Sequence, residues 1–336
     1  MIKSLKIAIP MAGLGTRLRP HTWTKPKPLV ALAGRTVLDY VLDMFSTVPD
    51  SASIEYIFII GQTGDQIREH MQAHYPDTTV HYVVQSEMRG QSDALYLARE
   101  YLSGPMLMAF ADTLVETDFS FLESEASDAI AWVKAVEDPR RFGVVELNGN
   151  ERAVRLIEKP RDFKNNLAVV GFYYFKEGRR LVEAIEEQMR RNITLNGEYF
   201  LADAINLMLE DGSIMRTHPV DIWLDAGTPE SLLATNRYLL EHGRDNSQEY
   251  TSNRDMVVIP PVYIHPEAKV EASVIGPYVS LGSGCTIQGA IVRNSILEEY
   301  ANVSNILLED SLLGRNVTVK GQSKHLNLGD QSWAIE

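Results

Sequence analysis

Gly13-Leu14-Gly15-Thr16-Arg17-Leu18-Arg19-Pro20-His21-Thr22-Trp23-Thr24-Lys25-Pro26-Lys27-Pro28 closely follows an apolar, β-type run, Leu5 to Ile9. The glycines therefore stand where a strand turns towards a helix. Glycine lets the backbone approach a ligand closely, and successive amide N–H groups at such a turn cradle an anion. Arg17 and Lys27 add two fixed positive charges at the same mouth. A stretch of this composition is suited to holding a triphosphate.

Two commoner nucleotide loops are excluded by spacing. A dinucleotide-binding fingerprint needs a third small residue where this chain has Leu18, and a P-loop needs a Gly-Lys-Ser/Thr that is absent. Gly13-Leu14-Gly15 alone also fits an ordinary tight turn. The whole string, Gly-x-Gly-Thr-Arg-Leu-x-Pro-x-Thr closed by Pro26-Lys27-Pro28, is far more specific and resembles the signature of the sugar-1-phosphate nucleotidyltransferases. One departure is Ala12, where many members carry another glycine; its small side chain suits the same close approach.

Length and composition set the frame. At 336 residues the chain exceeds what one hydrophobic core usually holds, so two domains are expected. A net charge of −13 argues against a nucleic-acid partner. The single cysteine, Cys285, leaves no internal disulfide framework and fits a reducing compartment. No apolar run approaches the ~20 residues of a membrane span, and no signal-type segment opens the chain. The expectation is a cytoplasmic protein with no membrane partner.

Up to about residue 240, strand-like runs (Leu5–Ile9, Ile54–Ile60, Thr79–Val84, Met106–Phe110, Ala129–Ala135, Val169–Phe175) alternate with amphipathic segments (Thr36–Phe45, Asp65–Tyr75, Gln91–Tyr101, Arg179–Arg190, Tyr199–Asp211, Pro229–Glu241). This alternation predicts an α/β domain with a mostly parallel, Rossmann-like sheet over residues 1–240. Residues 241–255 are polar, without apolar period, and read as a linker. From 256 to 336 a six-residue apolar beat takes over. Ile264, Leu281, Leu297 and Leu313 recur every 16 or 17 residues, as do Val270, Ile287, Val303 and Val319. The beat predicts a short parallel β-helix, and the segment resembles the hexapeptide-repeat left-handed β-helix. Such domains commonly associate, so a homo-oligomer is expected.

Nucleotidyl transfer joins a sugar-phosphate oxygen to the α-phosphorus of an NTP and expels pyrophosphate, so it needs metal-binding carboxylates, phosphate-binding cations and a base pocket. Asp112 ends an apolar strand and Asp225 lies in Trp223-Leu224-Asp225-Ala226-Gly227-Thr228. On sequence alone the first also fits a helix cap and the second a turn residue. The resemblance implies that both bind Mg²⁺, that Arg17 and Lys27 are catalytic, and that Ala12, Gly13, Gly15 and Thr16 seat the nucleotide. It further implies that Gln85 and Gly90 read the base, and that Gly143, Glu158, Lys159 and Val169 bind the sugar phosphate. Glu158-Lys159-Pro160 by itself would be only a charged strand end. An amide at Gln85 suits the imide edge of thymine or uracil.

The resemblance is nearest to glucose-1-phosphate thymidylyltransferases, implying dTTP and glucose 1-phosphate as substrates. UTP with glucose 1-phosphate, GTP with mannose 1-phosphate, and a non-catalytic regulatory subunit of the same fold are the alternatives. His70 and His74, four apart, read as a solvated helix face rather than a metal pair. His265 and His325 in the repeat segment could suggest acyl transfer to a sugar amine, but a tail of about four coils is too short for a complete acyltransferase site.

Overall fold

The computed structural model describes residues 4–49, 53–251 and 254–322. By its contacts the chain divides into two compact units, Met1–Val30 with Thr36–Ser231, and Ala31–Arg35 with Leu232–Glu336.

In the first unit the strands are β1 (Ser4–Pro10), β2 (Ser53–Ile60), β3 (Val80–Val84), β4 (Met106–Ala109), β5 (Thr113–Val115), β6 (Ala129–Ala135), β7 (Gly143–Leu147), β8 (Ala153–Glu158), β9 (Leu167–Phe175), β10 (Met215–Pro219) and β11 (Trp223–Asp225). The helices are α1 (Val37–Asp43), α2 (Gly64–His74), α3 (Gln91–Leu97), α4 (Gly178–Arg190) and α5 (Leu201–Glu210). The main sheet runs β8-β7-β9-β4-β1-β2-β3, with β6 joining β9 to β10. Strands β4, β1, β2 and β3 are mutually parallel, giving the α/β core expected from the alternation. Antiparallel pairing enters through β9, which pairs β4, β6 and β7.

The parallel strands read as nearly continuous apolar runs because both faces are covered. Ile7, Ala8, Ile57, Phe58 and Leu107 are fully buried. On one face Met106, Met108, Ala131 and Phe175 pack with Leu181 and Ile185 of α4 and Ile205 of α5 in one apolar cluster. Helix α1 starts at a reciprocal cap: Thr36 Oγ1 accepts from Asp39 N–H, while Asp39 Oδ2 accepts from Thr36 N–H.

Among the strands outside the six expected runs are β5, β10 and β11. Met215-Arg216-Thr217-His218-Pro219 has no apolar alternation, yet pairs in parallel with Ala129–Val133 of β6. Such a strand is specified by its neighbour's hydrogen-bonding edge rather than by its own side chains.

In the second unit three four-stranded parallel sheets of two- and three-residue strands build the expected β-helix, arranged as in left-handed hexapeptide folds. Register places Ile264, Leu281, Leu297 and Leu313 in one ladder and Val270, Ile287, Val303 and Val319 in another. These are the two series whose recurrence the sequence shows. Across the stretch read as a linker, Leu240–Arg244 and Ser247–Tyr250 form short helical turns. Asp245 Oδ1 accepts from Val262 N–H at 2.9 Å, and Asn246 and Tyr250 side chains bond the Ile264 carbonyl at 2.9 and 3.0 Å. Their polarity satisfies the open backbone edge of the first coil. Helix α6 (Pro229–Leu239) spans the division between the units in sequence, and its fully buried Asn236 accepts from Ala33 N–H and from Ser280 Oγ. His325 lies outside the described residues.

Candidate active site

Sheet order decides which residues meet. Strands β4, β1 and β2 are neighbours in register, with Ala8 opposite Met108 and Pro10 opposite Ile59. The segments leaving their carboxyl ends, Met11–Gly15 after β1 and Phe110–Asp112 after β4, are therefore side by side. Strand β3 adds Gln85, whose N–H donates to the Ile60 carbonyl at 2.9 Å. Ligands of open α/β sheets bind along this carboxyl edge.

Across β9 the antiparallel register assembles a second half. Gly143 opens β7 directly opposite Glu158, which ends β8, while Ala168 pairs with Val144 and brings Val169 alongside. A Cβ on Gly143 would lie 3.1 Å from Glu158 Oε2, a tight approach to which the carboxylate would have to give by a few tenths of an ångström. The two halves border one cavity of about 970 Å³. Ala12, Gly13, Arg17, Gln85, Gly90, Asp112, Gly143, Glu158, Val169 and Asp225 all line it. Its volume lies at the upper end of the range for a single small ligand and gives room for two.

The other expected site residues are placed differently. Gly15, in the left-handed region at φ 57°, packs on Thr22 and Lys27 and shapes the loop. Thr16 is exposed. Lys27 does not line the cavity but donates from Nζ to Asp112 Oδ2, which does. Pro26 and Pro28 bracket it and fix the turn from which it reaches. Lys159 is 55% exposed, 3.8 Å from Glu158 Oε1 and 5.3 Å from the Phe200 ring.

Positive charge and carboxylates interleave at the cavity floor. Arg17 Nη2 stands 3.9 Å from Asp112 Oδ2. Antiparallel pairing of β11 with β5 sets Asp225 opposite Thr113, and Ala226 N–H donates to the Asp112 carbonyl at 2.9 Å. The Cβ position of Gly227 lies 2.8 Å from both Arg17 Nη2 and Asp225 Oδ1, so the guanidinium borders both acids. Among the described residues no three metal-type side chains converge. A donor set of two carboxylates suits a cation that draws its remaining ligands from phosphate and water, as Mg²⁺ does, and not one requiring an all-protein cage.

Burial pushes Glu158 above the usual carboxylate range; the Lys159 charge opposes this and Asp203 adds to it. Asp203, itself pushed up by burial, was not anticipated from sequence, where it is one acid on an apolar helix. Tyr173, buried and near Glu158, is raised as well, first by burial and then by the Glu158 charge. A carboxyl raised on folding favours the folded state below its ordinary pKa and loses that benefit as pH rises through the raised value. Glu158→Gln should therefore melt higher than the native protein at pH 8, with the difference vanishing near pH 4. Equal melting curves at pH 8 would contradict the buried-charge account.

In the His70–His74 pair, His70 is taken up by a carboxylate. His70 Nε2 lies 2.7 Å from Asp39 Oδ1, which also accepts from Tyr75 Oη at 2.9 Å. Burial alone would raise Asp39, but the His70 and Thr36 hydrogen bonds outweigh it and hold the carboxyl well below its usual range. The histidine expected on a solvated face thus anchors the α1 cap, while exposed His74 fits that expectation.

Among the described residues no helix is long and apolar enough to cross a membrane. Residues 8–242 match the family model described as Nucleotidyl transferase. Two relatives bear the name glucose-1-phosphate thymidylyltransferase. The one from Streptomyces griseus is 29% identical, covering 98% of this chain and 99% of its own. The one from Streptomyces antibioticus is 30% identical, covering 96% and 95%. A solved UDP-glucose pyrophosphorylase from Acinetobacter baumanii superposes with a TM-score of 0.60 at 22% identity, over 74% of this chain and 97% of that one, a likeness of fold. The signature loop, the two-substrate cavity and a match along most of the chain converge on one statement: this chain belongs to the nucleotidyl transferase family, among the sugar-1-phosphate nucleotidyltransferases.

Proposed function

We propose that this protein transfers a nucleotidyl group from dTTP to glucose 1-phosphate with Mg²⁺ bound, releasing pyrophosphate. The observation that carries the reading is the sheet register, which gathers the glycine loop after β1, Asp112, Gln85 and the Gly143–Glu158 pair around one cavity. The full-length match to two thymidylyltransferases supports the choice of substrates.

In this reading the sugar's phosphate oxygen attacks the α-phosphorus. A new P–O bond forms as the Pα–O–Pβ bond breaks and pyrophosphate leaves with the electron pair. No covalent protein intermediate is required, so rate comes from alignment and charge. Asp112 and Asp225 would hold the metal, which supplies charge neutralisation for the phosphates. Arg17 stabilises the transferring group, Lys27 sets the Asp112 carboxylate and faces the phosphates, and Lys159 holds the attacking phosphate. Ala12, Gly13, Gly15 and Thr16 form the nucleotide loop, Gln85 and Gly90 meet the base, and Gly143, Glu158 and Val169 seat the sugar. Self-association through the β-helix is part of the same reading. Val257, Val274, Ile291 and Leu307 register as one outward aliphatic ladder, with Val257 and Leu307 each 58% exposed.

Pyrophosphate release across a matrix of five NTPs and several sugar 1-phosphates tests the assignment. Mg²⁺-dependent release, greatest for dTTP with glucose 1-phosphate, is expected. Silence across the whole matrix would sink it.

A further inference from the structure

Gln85 is 5% exposed, and its amide is held at one end only. Nε2 donates to Asp93 Oδ2 at 2.9 Å and to the Gly90 carbonyl at 3.3 Å. Oε1 has no hydrogen-bond partner among the described residues and is not sealed from the cavity that Gln85 lines. A glutamine amide can be turned end for end, and its neighbours decide the direction. Here both neighbours of Nε2 are acceptors: a carbonyl, and a carboxylate that accepts only. Reversing the amide would set Oε1 against two oxygens in a buried place, a repulsive arrangement.

The anchor is itself fixed. Asp93 is 7% exposed, in the first turn of α3, and Arg89 Nη1 stands 3.8 Å from its other oxygen. The loop from 85 to 93 is stitched to the chain before α5: Tyr199 N–H donates to the Arg89 carbonyl at 2.8 Å and Ser92 N–H to the Tyr199 carbonyl at 3.1 Å. Gly90 runs at φ 104°, and a Cβ there would lie 2.4 Å from the Tyr199 carbonyl oxygen. No other residue type lets the loop close so tightly.

We infer that Asp93 is a positioning residue for base selection: by holding the Gln85 amide with its carbonyl towards the cavity, it admits bases that present a ring N–H and rejects cytosine. Thymine and uracil carry a donor at N3; cytosine carries a lone pair there, which would face Oε1 directly. Asp93 touches no substrate and acts only through Gln85. The inference rests on the nucleotide-binding reading above and adds the cause of its base preference.

The test measures Kd for dTTP and dCTP by titration calorimetry, and kcat/KM for both, in the full chain. The native protein should favour dTTP strongly. Asp93→Asn, whose amide can meet either end of Gln85, should lower the dTTP/dCTP ratio at least tenfold, mostly in Kd and KM rather than kcat. Asp93→Leu, of similar shape and without hydrogen bonds, should do the same and serves if the asparagine variant folds poorly. In a Gln85→Ala background neither substitution should change the ratio further, because the group they act through is gone. An unchanged ratio in natively melting Asp93 variants, or an equal change with and without Gln85, overturns the inference. A native protein that binds no nucleotide overturns the underlying reading instead, and one that binds dCTP as tightly as dTTP overturns the inference alone.

Discussion

Asp112→Asn is expected to lower kcat about a thousandfold or more while shifting the melting temperature by only about 2–4 °C. The reason lies in what each charge does. Asp112 follows β4, its carbonyl accepts from Ala226 N–H, and that backbone bond is untouched by the substitution. The asparagine oxygen can still accept from Lys27, whose side chain is 14% exposed, so no buried donor is orphaned. The lost negative charge is another matter. It is one of the two carboxylates proposed to hold the metal, both lining the cavity, and Asp225 would not alone balance a divalent cation between phosphates. The measurement is single-turnover pyrophosphate release, beside thermal melting and the Mg²⁺ dependence of nucleotide binding. Full activity with unchanged Mg²⁺ affinity would remove Asp112 from the metal site. A large fall in melting temperature would make it a structural residue.

Legibility from sequence differed by kind of residue. Leu281 and Ile287 announce the β-helix because each coil repeats the same inward positions, and six-residue spacing survives without any knowledge of pairing. Arg17, Asp112 and Asp225 were legible as members of specific local strings. What joins them was not: β11 lies more than a hundred residues beyond β5, and only pairing shows Asp225 opposite Thr113. Asp93 was hidden for a related reason. In Gly-Gln-Ser-Asp-Ala it is an ordinary first-turn acid, and its bond to Gln85 exists only once the loop has closed on Tyr199. Asp203 likewise shows its raised pKa only after α5 is set beside β8. Local strings carry chemistry; the environments that tune it come from register and loop closure.

Arg17→Ala is the complementary case, expected to lower kcat by about a hundredfold to a thousandfold with little change in KM for the nucleotide. Its side chain is 60% exposed, and its ion pair to Asp112 spans 3.9 Å. An exposed pair at that distance contributes little to folding, so the fold has no strong claim on this guanidinium. What its placement offers is proximity to Asp112 and Asp225, where the proposed reaction would gather charge on the transferring phosphoryl oxygens as the bond to pyrophosphate lengthens. Interaction that grows along the reaction appears in kcat; interaction already complete in the bound nucleotide appears in KM. Arg17→Lys should restore part of the rate, since an ammonium supplies charge but not the planar fork that meets two oxygens together. The native melting temperature should persist in both variants. If Arg17→Ala instead raised KM and left kcat intact, the residue would be a ground-state phosphate binder, and stabilisation of the transferring group would have to be sought at Lys27, whose ammonium already lies against Asp112.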